Sequence, residues 1–152
     1  MEIVQGDLLK LALAGQFDLI LHGCNCFCTM GKGIALSIKQ HFPEAYAADQ
    51  ATEKGSREKL GSYSSALVER GDARFTIINA YTQFDWRGRG VKVDYDAVRR
   101  IMRSLAKEYP NAKIGYPKIG AGLAGGDWNL ISLIIDEELA GLDHRLVEYV
   151  AG

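Results

Sequence analysis

The sequence has few cysteines and prolines, no long apolar run and almost no charge imbalance. It contains three cysteines and three prolines in 152 residues, with a formal net charge of −1. This charge argues against a surface built for nucleic-acid backbones. No apolar run approaches the roughly 20 residues that span a bilayer, and the first residues lack the features of a secretion signal. We therefore expect a cytoplasmic monomer with no membrane or nucleic-acid partner.

The cysteines lie together as Cys24, Cys26 and Cys28. Their C-x-C-x-C spacing differs from the C-x-x-C pattern of zinc sites. An odd count without a secretion signal also argues against a disulfide framework. We interpret them as reduced thiols that fill small spaces, with one ligand or reactive thiol as the alternative. No metal or cofactor is expected.

Short apolar runs alternate with helical patterns along a chain whose length suits one domain, residues 1–152. The predicted strands cover residues 2–5, 18–24, 62–69, 74–81, 113–116 and 145–150, and the predicted helices cover residues 8–14, 34–40, 44–54, 95 to about 109 and 128 to about 140. A turn at residues 70–73 makes the third and fourth strands a hairpin. The pattern predicts a three-layer α/β/α domain, with helices on both faces of a mixed, mostly parallel six-stranded sheet.

Two glycine-bearing loops, at residues 25–33 and 120–126, each connect a strand to a helix. Unpaired N–H groups and the helix dipole make such a helix start favourable for anions. Ligands of α/β sheets also bind beyond the carboxyl ends of the strands. We predict that the two loops hold a diphosphate between them. The alternative is that the glycines only permit tight turns.

The letters G-A-G-L-A-G at residues 120–125 match the dinucleotide pattern G-x-G-x-x-G. That pattern belongs in the first βαβ unit, followed after about 20 residues by an acidic side chain at a strand end. Here it occurs in the last unit, and Asp136 lies inside a predicted helix. We therefore discount a dinucleotide cofactor.

Three motifs make the chain resemble a macrodomain, an ADP-ribose-binding α/β/α module. They are G-D-L at residues 6–8, H-G-C-N-C-F-C-T-M-G-K-G-I-A at residues 22–35 and P-K-I-G-A-G-L-A-G-G-D-W at residues 117–128. Their forms are similar to the branch that contains ADP-ribose 1''-phosphate phosphatases and terminal ADP-ribose glycohydrolases. The resemblance covers nearly the whole chain.

The resemblance implies a role for each part of these motifs. Asp7 would accept a hydrogen bond from the adenine amino group beside the Leu8 N–H, Tyr149 would pack on the adenine, and Asn25 would contact the distal ribose. The phosphate loops would comprise Met30, Gly31, Lys32, Gly33 and Ile34, and Ile119, Gly120, Ala121, Gly122 and Leu123. Simpler alternatives are a helix cap for Asp7, packing for Tyr149 and a solvated side chain for Lys32.

Macrodomains include both enzymes and readers of ADP-ribose. The glycohydrolase branch uses a lysine and an aspartate, and the matching positions here are about Tyr81 and Ala124, which argues against that mechanism. For a phosphatase, His22 is the candidate acid or base, and a buried hydrogen-bonded histidine is the alternative.

We expect four further side chains around the terminal phosphate of a phosphatase site. Asn25, Asn79 and Lys32 would hold the phosphate, and Asp127 would reach it unless it only caps a helix. His41 and His144 are expected at the surface, and residues 86–89 in a mobile loop beside the site.

The sequence therefore predicts a macrodomain that binds ADP-ribose and hydrolyses ADP-ribose 1''-phosphate, as a phosphoric monoester hydrolase. The alternatives are hydrolysis of other ADP-ribosyl derivatives, such as O-acetyl-ADP-ribose or ADP-ribosylated macromolecules, and ADP-ribose binding without turnover.

Overall fold

Six strands form one sheet in the computed structural model, which describes residues 1–151. They are β1 (Glu2–Gly6), β2 (Leu19–Cys24), β3 (Tyr63–Arg70), β4 (Ala73–Tyr81), β5 (Ile114–Tyr116) and β6 (His144–Tyr149), in the order β1-β6-β5-β2-β4-β3. Neighbouring strands are parallel except for the β3–β4 hairpin. The predicted mixed, mostly parallel sheet is confirmed.

The helices cover both faces of this sheet, which completes the predicted three layers. They are α1 (Leu8–Leu13), α2 (Gly33–His41), α3 (Pro43–Gln50), α4 (Tyr95–Glu108) and α5 (Trp128–Glu138). The first three pack against one face, and α4 and α5 pack against the other. None of the helices within residues 1–151 combines the length and the apolarity that a membrane span needs.

The central strand β2 is apolar on both faces because each face carries a separate core. Leu19 and Leu21 belong to the core under α4 and α5, whereas Ile20 between them belongs to the core under α1, α2 and α3. Each is at most 1% exposed. Burial of such a side chain contributes about 1.5–3 kcal/mol to folding, so this strand anchors the two layers and the loop that follows it.

Some element boundaries differ from the prediction. The helix predicted at residues 44–54 ends at Gln50, because the chain turns to meet the first glycine loop, where Gly55 N–H donates to Cys26 O. A 3₁₀ turn, Arg57–Lys59, begins within the predicted loop at Ser56, whose Oγ accepts from Glu58 N. The hairpin turn has two residues rather than four, because β3 ends at Arg70 and β4 starts at Ala73.

All five mutually parallel strands end at the same edge of the sheet. Their last residues are Gly6, Tyr149, Tyr116, Cys24 and Tyr81. Both glycine loops leave from this edge, so the fold places them together as expected for an α/β sheet.

Candidate ligand-binding site

A cleft at this edge consists of two cavities. The main cavity, of about 620 Å³, is lined by the two glycine loops and the segment after β4. The adjoining cavity, of about 770 Å³, is lined by the end of β1, the start of α1 and Tyr149. Gly33, Ile34 and Pro117 line both cavities, so an elongated ligand could occupy them together.

The first glycine loop presents the start of α2 to the main cavity. Its N-cap residue, Lys32, makes no side-chain cap bond, so the first-turn N–H groups keep their capacity to bind an anion. Met30, two residues earlier, has a φ of 45° and is only 3% exposed. Its side chain packs in the core under α2 and so holds the loop against the sheet. Met30, Gly31, Lys32, Gly33 and Ile34 all line the main cavity, as the prediction required.

The second loop uses its glycines in two ways. A Cβ at Gly126 would lie 2.5 Å from Val93 and 2.6 Å from the Gly120 carbonyl oxygen, and one at Gly120 would lie 2.6 Å from Val93. Both positions therefore need glycine for packing. Gly122 has open space around its Cβ position and lines the main cavity, where a ligand could approach the backbone.

Most of the second loop lies where it was predicted. Ile119, Gly120, Gly122 and Leu123 line the main cavity. Ala121 is absent from that lining, and its N–H donates to Lys118 O at 3.2 Å. In this structure the Ala121 N–H is therefore bonded within the loop, and its contact with a diphosphate stays a prediction.

The adjoining cavity contains the residues assigned to adenine. Oδ1 of Asp7 accepts hydrogen bonds from Leu9 N at 3.0 Å and Lys10 N at 3.2 Å, so Asp7 caps α1. Leu8 lines this cavity beside it. Tyr149 is 74% exposed, so it is not a core residue and its ring is available to a ligand.

His22 and Asn79 do not reach either cavity. Both are fully buried. The Asn79 amide donates to Ala45 O at 2.9 Å and Ser64 Oγ at 3.0 Å, so its Oδ1 accepts from His22 Nε2 at 2.6 Å. Burial lowers the pKa of His22 to about 4 despite this bond. The alternative of a buried, hydrogen-bonded histidine therefore describes His22. The prediction that Asn79 holds the terminal phosphate is wrong, because Asn79 lies in the core and lines neither cavity.

Of the other two candidate catalytic residues, Asn25 lines the main cavity and Asp127 does not. Asn25 lines the main cavity, and its side chain is held by Phe27 N at 2.8 Å and Thr29 Oγ1 at 2.7 Å. Asp127 lies outside both cavities and accepts from Asn129 N at 2.9 Å, which caps α5. The capping alternative therefore describes Asp127.

A buried polar network that the sequence did not reveal reaches the main cavity. Asp49 lines the cavity but is only 1% exposed, and its Oδ1 accepts from the Tyr81 hydroxyl at 2.7 Å. Burial raises the pKa of Asp49 above its ordinary value. Lys59 Nζ lies 4.6 Å from the centre of the Tyr81 ring and donates to Cys26 O. One aspartate on a short helix gives no sequence signal for such a site.

The segment after β4 forms the mouth of the main cavity. Trp86 lines it, is 42% exposed and packs edge-on against Phe27, with ring centres 5.9 Å apart. Arg87 lies 4.7 Å from the Trp86 ring and pairs with Asp85. Gln83 also lines the cavity, and its buried Oε1 has no partner within residues 1–151. These contacts make this segment part of the site.

The lining of the main cavity favours anions. Lys32, Lys92 and Lys118 line it, whereas Asp49 is the single carboxylate found in this lining within residues 1–151. Residues 1–151 contain no group of three or more His, Cys, Asp or Glu side chains that could hold a metal ion. The groups available to bind an anion in the main cavity are therefore backbone N–H groups and lysine side chains.

The structure also shows how far the three cysteines and the other two histidines are buried. Cys24 and Cys26 are buried free thiols, and Cys28 is half-buried. His41 is exposed as expected. The surface prediction for His144 is wrong, because its side chain is only 8% exposed and its Nδ1 lies 2.7 Å from the Tyr116 hydroxyl.

The sequence matches the model of the Macro domain family over residues 21–134. The chain belongs to this family. A phage T4 protein described as an uncharacterized 17.5 kDa protein in the tk-vs intergenic region is 35% identical over 151 residues, covering 96% of this chain and 94% of the phage protein.

Relatives with named activities are more distant. The DNA ADP-ribosyl glycohydrolase of Mycobacterium tuberculosis is 29% identical over 123 residues, which are 81% of this chain but 34% of that protein. The chain thus matches about a third of this larger relative. The ADP-ribose 1''-phosphate phosphatase of Aspergillus oryzae is 23% identical, with 97% of this chain and 92% of that protein covered.

A solved structure has the same fold. The DarTG protein of Thermosipho africanus in complex with ADP-ribose matches with a TM-score of 0.74 and 16% identity, over 99% of this chain and 42% of that one.

Proposed function

We propose that this protein binds ADP-ribose along the cleft and hydrolyses ADP-ribose 1''-phosphate to ADP-ribose and phosphate. The observation that carries the proposal is the anion-favouring main cavity, with three lysines and the uncapped start of α2, continuous with a second cavity suited to a base. Relatives that bind or process ADP-ribose derivatives support the same ligand.

The adenine lies in the adjoining cavity under this proposal. Asp7 accepts a hydrogen bond from the adenine amino group while its Oδ1 still caps α1, because a carboxylate can accept several hydrogen bonds. The exposed Tyr149 ring packs on the base. The diphosphate then crosses Gly33 and Ile34, which line both cavities.

The terminal phosphate lies at the other end, inside the main cavity. Lys32 and Lys92 supply positive charge there, and Asn25 contacts the distal ribose. Water attacks the phosphorus, the bond from phosphorus to the ribose oxygen breaks, and that oxygen takes up the proton that the attacking water loses, which gives ADP-ribose and phosphate. His22 has no part in this step because it is buried and neutral.

Removal of ADP-ribose from DNA is a second candidate function. The exposed Trp86 and the neighbouring Arg87 at the mouth suit a nucleotide attached beyond the distal ribose. The name of the mycobacterial relative points to the same substrate. Against it, the position that matches the glycohydrolase lysine, Tyr81, is buried and bonded to Asp49.

Two substrates distinguish these functions. Purified protein is incubated with ADP-ribose 1''-phosphate, with release of phosphate followed, and with ADP-ribosylated single-stranded DNA, with release of ADP-ribose followed. Phosphate release from the first supports the proposal, and ADP-ribose release from the second alone supports the second candidate. Binding without either release leaves a reader of ADP-ribose.

Variants sharpen the comparison. Trp86→Ala should slow DNA processing more than phosphate release, because Trp86 is 42% exposed and would contact the nucleotide beyond the distal ribose. Leu133→Ala is the matched control, since Leu133 is exposed on α5 and lines neither cavity.

A further inference from the structure

Asp49 is a buried carboxylate with unused hydrogen-bonding capacity at the main cavity. Its Oδ1 accepts from Tyr81, and within residues 1–151 its Oδ2 accepts no hydrogen bond. The buried side-chain atoms without a hydrogen-bond partner in residues 1–151 are Gln83 Oε1 and Arg145 Nε, so Asp49 Oδ2 is open to the main cavity that Asp49 lines. A ligand in this cavity could therefore donate a hydrogen bond to Oδ2.

No ion pair within residues 1–151 neutralises the Asp49 carboxylate. Lys59 is the nearby cation, but its Nζ donates to Cys26 O at 3.1 Å and Cys28 Sγ at 3.5 Å. Lys59 and Asp49 form no ion pair within 4.0 Å in the described part of the chain. The carboxylate is positioned by Tyr81, whose hydroxyl is also 2.8 Å from Ser64 Oγ.

Asp49 lines the main cavity and lies outside the lining of the adjoining cavity. The Cys28 thiol, in the same loop as Asn25, donates to Asp49 O at 3.2 Å. Asn25, Thr29 and Asp49 all line the main cavity and none lines the adjoining one. If the adenine occupies the adjoining cavity and the diphosphate crosses Gly33 and Ile34, the distal ribose lies in the main cavity, which Asp49 lines.

A second unused acceptor lies in the same cavity. Oε1 of Gln83 is buried without a partner in the described residues, and Gln83 lines the main cavity with Asp49. Two residues that line this cavity thus have side-chain acceptors without donors, which favours a ligand part that presents donors. The hydroxyl groups of a ribose do so, whereas a phosphate presents acceptors.

We propose that Asp49 is a specificity-determining residue that recognises the distal ribose, with Oδ2 accepting a hydrogen bond from a ribose hydroxyl. Tyr81 is its positioning residue. The inference rests on the proposed binding of ADP-ribose and assigns a function to a residue outside the glycine loops.

Calorimetric titrations with ADP-ribose and with ADP test this assignment, because ADP lacks the distal ribose. Asp49→Asn keeps the shape of the side chain and removes the charge. We expect it to weaken ADP-ribose binding about 10- to 100-fold and to leave ADP binding unchanged. Asp96→Asn is the control, because Asp96 is exposed on α4 outside the cleft, and neither affinity should change.

The outcomes separate this inference from the proposed function. If the wild-type protein fails to bind ADP-ribose, the proposed function is wrong. If it binds and Asp49→Asn loses affinity for neither ligand, or for both equally, the role of Asp49 is wrong. Should Asp49→Asn not fold, as shown by circular dichroism, Tyr81→Phe serves instead. We expect a selective loss of ADP-ribose affinity of about 3- to 10-fold, and an equal loss for both ligands, or no loss, would be the contrary result.

Discussion

The hydroxyl of Tyr81 donates a 2.7 Å hydrogen bond to Oδ1 of Asp49, which joins the end of β4 to α3 below the main cavity. Burial raises the pKa of both groups above their ordinary values. The bond therefore stabilises a carboxylate that the fold has removed from water, and it orients that carboxylate at the cavity.

Removal of this hydroxyl should destabilise the protein. Tyr81→Phe leaves a buried acceptor without its donor, which costs about 1–3 kcal/mol of the free energy of unfolding. Urea denaturation measures the loss. Tyr63→Phe is the control, because the Tyr63 hydroxyl bonds the exposed Glu108, and its loss should cost less than about 1 kcal/mol. Equal losses in the two variants would show that the buried hydrogen bond contributes no more to stability than the exposed one.

His22 should stay neutral in the folded protein until the pH approaches 4. Its pKa is lowered from 6.5 to about 4, so below pH 6.5 the unfolded chain takes up a proton that the folded chain does not. The neutral ring therefore makes its full contribution to the free energy of unfolding above pH 6.5. This contribution falls by about 3 kcal/mol as the pH reaches 4.

Two measurements check the titration of His22. Nuclear magnetic resonance should show a ring signal, absent in His22→Gln, that does not titrate between pH 5 and 8. The free energy of unfolding of His22→Gln should also fall less steeply with acid than that of the wild type. A ring that titrates near pH 6.5 would contradict its burial in the core.

Two glycines of the second loop should respond differently to alanine. Gly126→Ala places a Cβ 2.6 Å from a backbone oxygen, so we expect a loss of several kcal/mol in stability. Gly122→Ala meets nothing within 4 Å and should unfold at nearly the wild-type temperature. Gly122 lines the main cavity, and the added methyl group would keep the ligand away from the backbone there. This variant should therefore bind ADP-ribose more weakly than the wild type although its stability is unchanged. Unchanged affinity would place the diphosphate elsewhere.

The lysines should contribute long-range attraction to the ligand. Lys32→Gln should weaken ADP-ribose binding several-fold in 20 mM salt and less in 500 mM salt, because salt screens exposed charges. Lys107→Gln on α4 controls for net charge, since Lys107 lies outside both cavities. Equal effects of the two substitutions would mean that net charge alone attracts the ligand.

The sequence predicts most of the fold because strand and helix periodicity report local burial. The alternate facing of Leu19, Ile20 and Leu21 produces a continuous apolar run, and the stripe on α4 produces helical spacing. The loop motifs likewise predict residues that line the main cavity. The helix end at Gln50 was missed because it depends on a tertiary contact of Gly55.

The rest of the site depends on packing that no short pattern reports. His22 has the chemistry of an acid or base, but the neighbouring β4 places Asn79 against it and buries both. Asp49 is an ordinary polar residue of α3 in the sequence, and only the approach of Tyr81 from another strand makes it a cavity carboxylate. Sequence therefore located the loops better than the side chains between them.

The initial rate of phosphate release from ADP-ribose 1''-phosphate, measured with and without excess ADP-ribose, tests the central claim most directly. We predict saturable release that ADP-ribose inhibits competitively, because the two molecules share one cleft. Absence of release by a protein that binds ADP-ribose, or release that excess ADP-ribose leaves unchanged, would contradict the account.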